Sequence, residues 1–156
     1  MLSVRVRLFV PMAFLMMILV ACHQADTVVS NRDGGETRYP FTPDGFVTAV
    51  SWSDLATVKT FLERGMDVNA TDADGNSGLH AATDKKDEPM VRFLIEAGAD
   101  PNLQNNWGNT PLMLAAANND PDMLTLLLEA GADPFLRNDA GETAADIAEN
   151  LGNGEV

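Results

Sequence analysis

Three versions of one segment recur along the chain: ERGMDVN at residues 63–69, EAGADPN at 96–102 and EAGADPF at 129–135. Two series of glycines keep the same interval of 33 residues: Gly65, Gly98 and Gly131, then Gly75, Gly108 and Gly141. Each segment follows three apolar residues spaced i, i+3, i+4, a pattern that predicts a helix with one apolar face. These triplets are Val58, Phe61 and Leu62; Val91, Leu94 and Ile95; and Leu124, Leu127 and Leu128. The chain is therefore predicted to be a helical repeat protein.

A 33-residue unit with a turn and two helices resembles the ankyrin repeat. The family's hexapeptide, Thr-Pro-Leu-His-x-Ala, is matched at residues 110–115 by TPLMLA, with Met113 in place of histidine. It is matched again at residues 77–82 by SGLHAA, which keeps His80 and has Gly78 in place of proline. The resemblance implies an all-α ankyrin solenoid.

The residues at the predicted helix ends have local reasons to be there. Thr110 can accept a backbone hydrogen bond as the cap of a helix, and Pro111 suits the first helical position because its missing N–H needs no partner. Asp120 and Pro121 have the same two roles at the next helix. The glycines that follow the apolar triplets are expected to end their helices in the left-handed conformation.

The period divides the chain into four units. Residues 72–104 and 105–137 are predicted to be two full repeats. A degenerate repeat at about 39–71 precedes them, and a half-repeat at about 138–152 comes after them, because terminal repeats must present a polar outer face to water. The repeat domain is thus predicted over residues 39–152, with a tail at 153–156 and with Leu127 in its interior.

Composition excludes several kinds of function. The 156 residues suffice for one ordinary domain, and the formal charge of −13 with a pI near 4.2 argues against binding to nucleic acid or to anionic lipid headgroups. One cysteine cannot form an internal disulfide, and two histidines leave no residues for a closed zinc site. We expect no catalytic site, no metal and no cofactor.

The N-terminal residues 1–21 have the layout of an export signal. Arg5 and Arg7 precede an apolar run at residues 8–20, which as a helix would rise only about 20 Å and would be a poor membrane span. Residues 19–22, LVAC, resemble the bacterial lipobox, which implies cleavage before Cys22 and attachment of lipid to its sulfur. The alternative is an ordinary signal peptide with an incidental thiol at Cys22.

The resemblance to lipoproteins also implies a location. In enterobacterial lipoproteins the residue after the cysteine sorts the protein, and His23 at that position favours the outer membrane, facing the periplasm. Residues 22–38 are polar and contain glycine, so they are predicted to be a flexible lipidated tether.

Two local sequence patterns resemble a calcium site and a catalytic histidine, but neither has the surrounding residues that such a site requires. Asp72-Ala73-Asp74-Gly75-Asn76 looks like the start of a calcium loop, yet loop positions six and twelve hold Ser77 and Thr83 instead of glycine and glutamate. His80 occupies the hexapeptide's histidine position, which in the family makes hydrogen bonds between repeats. The chain has no HExxH motif and no glycine-rich phosphate loop, so an enzyme is not expected.

In the ankyrin family, partners are usually gripped by the turn tips and by the concave helix surface. Transferred to this chain, that register predicts eleven partner-binding residues: Trp52, Asp74, Asn76, Asp84, Lys85, Asn106, Trp107, Asn109, Asn118, Asp139 and Glu142. The fold does not need tryptophan at either tryptophan position, and tryptophan is enriched at binding hot spots. Two alternatives stay open: Trp107 packs over an adjacent turn, and Trp52 is buried beneath the tether.

These features predict a non-catalytic binding module, lipid-anchored in the bacterial envelope and monomeric, that holds a protein partner with a basic patch. Resemblance to periplasmic ankyrin proteins suggests two uses, immunity against a toxin or support of a periplasmic enzyme such as catalase. The alternative is a structural envelope lipoprotein without a specific partner.

Overall fold

The helices of this chain alternate between first and second helices of a repeat, each such pair joined by three residues. The computed structural model describes residues 28–30 and 36–152. Its helices are α1 (Pro43–Ser51), α2 (Leu55–Glu63), α3 (Gly78–Asp84), α4 (Glu88–Glu96), α5 (Pro111–Ala117), α6 (Pro121–Glu129) and α7 (Ala144–Gly152). The first helices pack side by side in the order α1, α3, α5, α7, and the second helices pack against the first helices of their own repeats. The helical solenoid predicted from the 33-residue period is confirmed.

The helix ends are fixed by the residues that the sequence marks for this role. The side-chain oxygens of Thr110 and Asp120 accept hydrogen bonds from the backbone N–H groups three residues later, at 3.3 and 3.1 Å, so both predicted caps are confirmed. Gly65, Gly98 and Gly131 follow the second helices with φ of +89°, +94° and +92°, a conformation that disfavours any side chain. The predicted left-handed glycines are thus confirmed.

The core is built from the apolar positions that repeat every 33 residues. In the first two triplets, Val58, Phe61, Val91 and Leu94 are fully buried. The leucine predicted to lie in the interior of the third, Leu127, is also fully buried. Three methionines fill the spaces between helices: Met90, Met113 and Met123.

The third triplet departs from the prediction at two of its positions. Leu124 is half-buried, and Leu128 is 46% exposed, whereas the equivalent Leu62 and Ile95 are half-buried. In the earlier repeats a further second helix comes later in the chain, but after α6 the described residues contribute only α7, which packs on α5. Leu128 therefore lies at the uncovered end of the array.

Two short strands precede the helices. The strands β1 (Val28–Ser30) and β2 (Glu36–Pro40) are antiparallel, with Val28 opposite Pro40, and β2 packs on α1. Tyr39 is buried against the core. Within the tether predicted at residues 22–38, residues 28–30 and 36–38 thus lie in these two strands.

Aromatic side chains join these strands to the first repeat. The ring of Phe41, just after β2, stacks on that of Phe61 with centroids 5.2 Å apart, and the guanidinium of Arg64 lies 4.6 Å from the Phe41 centroid. The degenerate first repeat thus replaces the missing turn hexapeptide with a paired strand and an aromatic stack.

Several predictions concern residues that lie outside the described part of the chain: the signal peptide at 1–21, the lipidated Cys22 and the tail at 153–156. Among residues 28–30 and 36–152, none of the helices combines the length and the apolar character needed to cross a bilayer.

Candidate binding groove

The turns between repeats are held by asparagine side chains. Asn105 Oδ1 accepts hydrogen bonds from the backbone N–H groups of Trp107 and Asn109 at 3.1 and 3.0 Å, and Asn105 Nδ2 donates to Asn76 Oδ1 at 2.9 Å. Asn138 repeats this arrangement one unit later and donates to Asn109 Oδ1 at 3.1 Å. Each turn is therefore fixed internally and tied to the turn before it.

The backbone around Trp107 is pinned on both sides by neighbouring turns. The N–H of Asn106 donates to the Asp74 carbonyl oxygen at 3.0 Å, and the Trp107 carbonyl oxygen accepts from the N–H of Asp139 at 3.1 Å. Glycine is required at position 108 because φ is +72° and a Cβ there would lie 2.8 Å from the Asp139 nitrogen. The Trp107 side chain nevertheless remains 53% exposed. The turns thus present a large aromatic side chain on a rigid backbone.

A groove of about 430 Å³ runs beside this tryptophan, between the turns and the first helices α1, α3 and α5. Its lining is Val47, Thr48, Ser51, Asp72, Asn76, His80, Ala81, Asp84, Lys85, Asn105, Trp107, Asn109 and Leu114. The volume is within the range of about 300–1,000 Å³ that is common for ligand sites. We call this surface the groove.

His80 connects the second repeat to the third at the base of the groove. Its Nε2 lies 2.9 Å from the carbonyl oxygen of Asn109, which can only accept, so Nε2 carries the proton. Nδ1 therefore accepts from the Ser77 N–H at 3.2 Å and from the Ser77 hydroxyl at 2.9 Å. The predicted structural role of His80 between repeats is confirmed.

Burial holds the pKa of His80 below its ordinary value of 6.5, although the Asn109 carbonyl and the charge of Asp72 act in the opposite direction. The folded protein therefore favours the neutral imidazole. Protonation of Nδ1 would also remove the acceptor for the two Ser77 donors.

We expect acid to weaken the fold through this residue. Because the pKa is lower in the folded than in the unfolded chain, the stabilisation is complete above about 6.5 and is lost as the pH falls below that value towards the folded-state pKa. Urea unfolding from about pH 7 to about pH 5 should show a decrease in the free energy of unfolding that is smaller in His80→Gln. Parallel pH profiles for the two proteins would contradict this role.

The groove brings together five of the predicted partner-binding residues: Asn76, Asp84, Lys85, Trp107 and Asn109. The other six lie outside its lining: Trp52, Asp74, Asn106, Asn118, Asp139 and Glu142. Trp52, Lys85 and Asn118 are the C-cap residues that directly follow α1, α3 and α5. The Trp52 side chain is 70% exposed, so it is not buried beneath the tether, and the Trp107 side chain is 53% exposed.

Several of the predicted residues already have structural contacts. The amide groups of Asn76 and Asn109 belong to the ladder of turn contacts, and Asn106 Nδ2 donates to the Ala73 carbonyl oxygen at 3.0 Å. The Glu142 carboxylate accepts from Asn138 Nδ2 and from Asn150 Nδ2, both at 3.3 Å. Six of the predicted partner-binding residues have exposed side chains that take no part in the turn contacts: Trp52, Asp74, Asp84, Lys85, Trp107 and Asp139.

The floor of the groove was not predicted from the sequence. Thr48, Ala81 and Leu114 line it from α1, α3 and α5, and Leu114 is half-buried. These three residues are 33 positions apart, so the period itself contains the information that would have identified them.

Among residues 28–30 and 36–152, no three histidine, cysteine, aspartate or glutamate side chains are grouped to hold an ion. The calcium-like sequence at Asp72 is a turn: its Oδ1 accepts from the N–H groups of Asp74 and Asn76 at 3.0 and 2.8 Å. This carboxylate holds its own backbone.

A family model described as ankyrin repeats in three copies matches residues 46–154. The match covers α1 from residue 46 onward, all of α2 to α7 and every residue that lines the groove. Comparison with curated proteins gives no match.

Proposed function

Because the chain belongs to the ankyrin repeat family, whose members are generally protein-interaction modules and typically not enzymes, we propose that it is a non-catalytic module that holds one protein partner in its groove. The observation that carries this proposal is the exposed indole of Trp107 on a backbone fixed by two neighbouring turns. A rigid aromatic side chain offers a large apolar contact and loses little entropy on binding.

Two tryptophans support a partner of protein size. Trp107 lies beside the groove, and Trp52 directly follows Ser51, which lines the groove from α1. Both indoles are largely exposed, and tryptophan is enriched among the residues that contribute most to protein–protein binding. The predicted partner-binding residues around them, including Asp74, Asp139 and Asn118, extend the contact along the turn tips and helix ends.

Charge favours a basic patch on this partner. Removal of residues 1–21 takes away two arginines and no acidic residue, which changes the formal charge from −13 to −15. Opposite charges steer the two proteins together and make the association rate fall with salt. The same charge disfavours self-association, so we propose a monomer.

The proposed location is the periplasmic face of the outer membrane, with lipid on Cys22. Residues 1–21 would be removed as a lipoprotein signal, residues 22–38 would join the lipid to the first repeat, and residues 39–152 would form the binding domain. Several acyl chains, with each buried CH₂ contributing about 0.8 kcal/mol, would anchor the chain stably.

Two uses fit a tethered binding module: immunity against a toxin that enters the periplasm, and support of a periplasmic enzyme such as catalase. A structural envelope lipoprotein without a specific partner is the alternative, and it gives no reason for two exposed tryptophans beside an acidic groove.

Affinity capture with the lipidated chain, followed by mass spectrometry, tests the binding proposal. We expect one stoichiometric protein that is retained at low salt and released as salt rises. The matched control is Phe135→Ala, because Phe135 is 82% exposed and lies outside the groove. Absence of a stoichiometric protein from the wild-type capture would favour the structural alternative, and equal capture by the wild type, Trp107→Ala and Phe135→Ala would mean that the partner does not contact Trp107.

The anchoring proposal predicts that Cys22→Ser accumulates as an unprocessed precursor, because lipid attachment to the sulfur normally precedes cleavage at a lipobox. Metabolic labelling with a palmitate analogue and partition into detergent measure both steps. Equal label in the wild type and in Cys22→Ser would contradict lipidation of Cys22.

A further inference from the structure

Most polar side chains in the groove already have partners. Asn76, Asn105 and Asn109 hydrogen-bond one another across the turns or hold the turn backbone, and both ring nitrogens of His80 are engaged. The groove therefore cannot recognise a ligand through these groups without breaking contacts between repeats. Recognition depends on the lining side chains that remain available.

Asp84 is the available acceptor. Its only ion pair among residues 28–30 and 36–152 is with the adjacent Lys85, with Oδ2 and Nζ 3.8 Å apart and both side chains more than half exposed. A long, exposed ion pair of this kind contributes little free energy. Its carboxylate oxygens are thus free to accept hydrogen bonds from a ligand.

Trp107 is the available aromatic surface. In the part of the chain that the structure describes, its indole takes part in no aromatic stack and in no cation–π contact, although Phe41 and Phe93 have such contacts. The face of an indole attracts cations more strongly than other aromatic side chains do.

The groove also contains apolar side chains. Val47, Ala81 and Leu114 line it from α1, α3 and α5 in turn. They offer contact for a chain of methylene groups, and the acidic Asp72 adds negative charge at the turn side of the same groove.

We propose that the groove receives an arginine side chain from a surface loop or short segment of the protein partner. The methylene stem lies on Val47, Ala81 and Leu114, the guanidinium plane lies against the indole of Trp107, and its N–H groups donate to the carboxylate of Asp84. This inference rests on the proposed function, since it names the chemistry by which the same groove reads its partner.

Arginine fits these groups better than the other candidate side chains. Its planar guanidinium stacks on an aromatic face and pairs with a carboxylate through two parallel hydrogen bonds, whereas the lysine ammonium is a strongly hydrated point charge. Acidic side chains would meet the carboxylates of Asp72 and Asp84, and a purely apolar side chain would leave the Asp84 carboxylate desolvated and unpaired.

The test uses the ¹⁵N-labelled full chain and the peptide acetyl-Gly-Gly-Arg-Gly-Gly-amide, followed through the two indole N–H resonances. The chain has two tryptophans, so Trp52 serves as an internal reference for Trp107. We expect a saturable shift of the Trp107 indole N–H resonance. When citrulline replaces arginine, the affinity of the peptide should fall about tenfold, because citrulline keeps the shape of arginine and loses its charge.

Two aspartate variants distinguish recognition by the groove from nonspecific attraction by the negative charge of the protein. Asp84→Asn should weaken binding of the arginine peptide about tenfold, whereas Asp122→Asn, which removes an exposed carboxylate of α6 outside the groove lining, should leave binding unchanged. Equal binding of the citrulline peptide, equal loss in the two variants, or the absence of a saturable shift at Trp107 would overturn the arginine site.

Failure of the arginine site and failure of the proposed function give different results. A captured partner that is lost in Trp107→Ala but is insensitive to Asp84→Asn and to the arginine peptide would overturn the arginine site and leave the binding module intact. A wild-type protein that captures no stoichiometric partner and shows no response to the arginine peptide would overturn both.

Discussion

Leu127→Ala is expected to lower the free energy of unfolding by about 2–5 kcal/mol. The Leu127 side chain is fully buried on α6, so its truncation removes apolar contacts and leaves a cavity that the surrounding helices fill only partly. In a short solenoid each repeat is stabilised by its neighbours, and loss of one interface lowers the stability of the whole array. Urea unfolding followed by circular dichroism measures the change.

The next residue provides the matched control. Leu128 lies on the same helix and has the same side chain, but 46% of its surface is exposed. Leu128→Ala should therefore change the free energy of unfolding by only about 0.5 kcal/mol. Similar losses for the two variants would mean that the assigned face of α6 is wrong.

The 33-residue period predicted the helices and most of the buried positions of the second helices, because each repeat packs on its neighbour through equivalent positions. Val58, Val91 and Leu127 were identified correctly on this basis. Leu128 was not, because its burial depends on the packing partner beyond the last full repeat, and a pattern within one repeat does not contain that information. Predictions at the ends of a solenoid fail for this physical reason.

The strands β1 and β2 were also missed, for a different reason. Composition marks residues 22–38 as polar, but Val28, Thr37 and Tyr39 are β-favouring residues whose pairing becomes favourable only against the first repeat. A short two-stranded unit is marginal by itself. Tertiary contacts decide its structure, and one segment read alone does not reveal them.

The candidate site was predicted in part. The register selected Trp107, Asp84 and Lys85, and the structure brings these three residues into one groove. It did not distinguish exposed side chains from those that hold the turns, such as Asn76 and Asn109, because that depends on hydrogen bonds between repeats.

Trp107→Ala is expected to weaken binding to the captured partner by about 2 kcal/mol or more, because truncation removes the largest apolar surface beside the groove. The same change should alter the free energy of unfolding by only about 0.5 kcal/mol, since the turn is held by backbone contacts and by Asn105, none of which uses the indole. Phe135→Ala should change neither quantity appreciably.

The most direct test of the binding proposal measures both free energies on Trp107→Ala: binding by titration calorimetry with the captured partner, and unfolding by urea. We predict a loss of binding of about 2 kcal/mol or more in a protein that is almost as stable as the wild type. If the indole instead packs over its neighbour, stability would fall by about 3 kcal/mol or more. A destabilised variant whose folded fraction binds the partner with unchanged affinity would contradict the central claim that the exposed indole of Trp107 serves a partner.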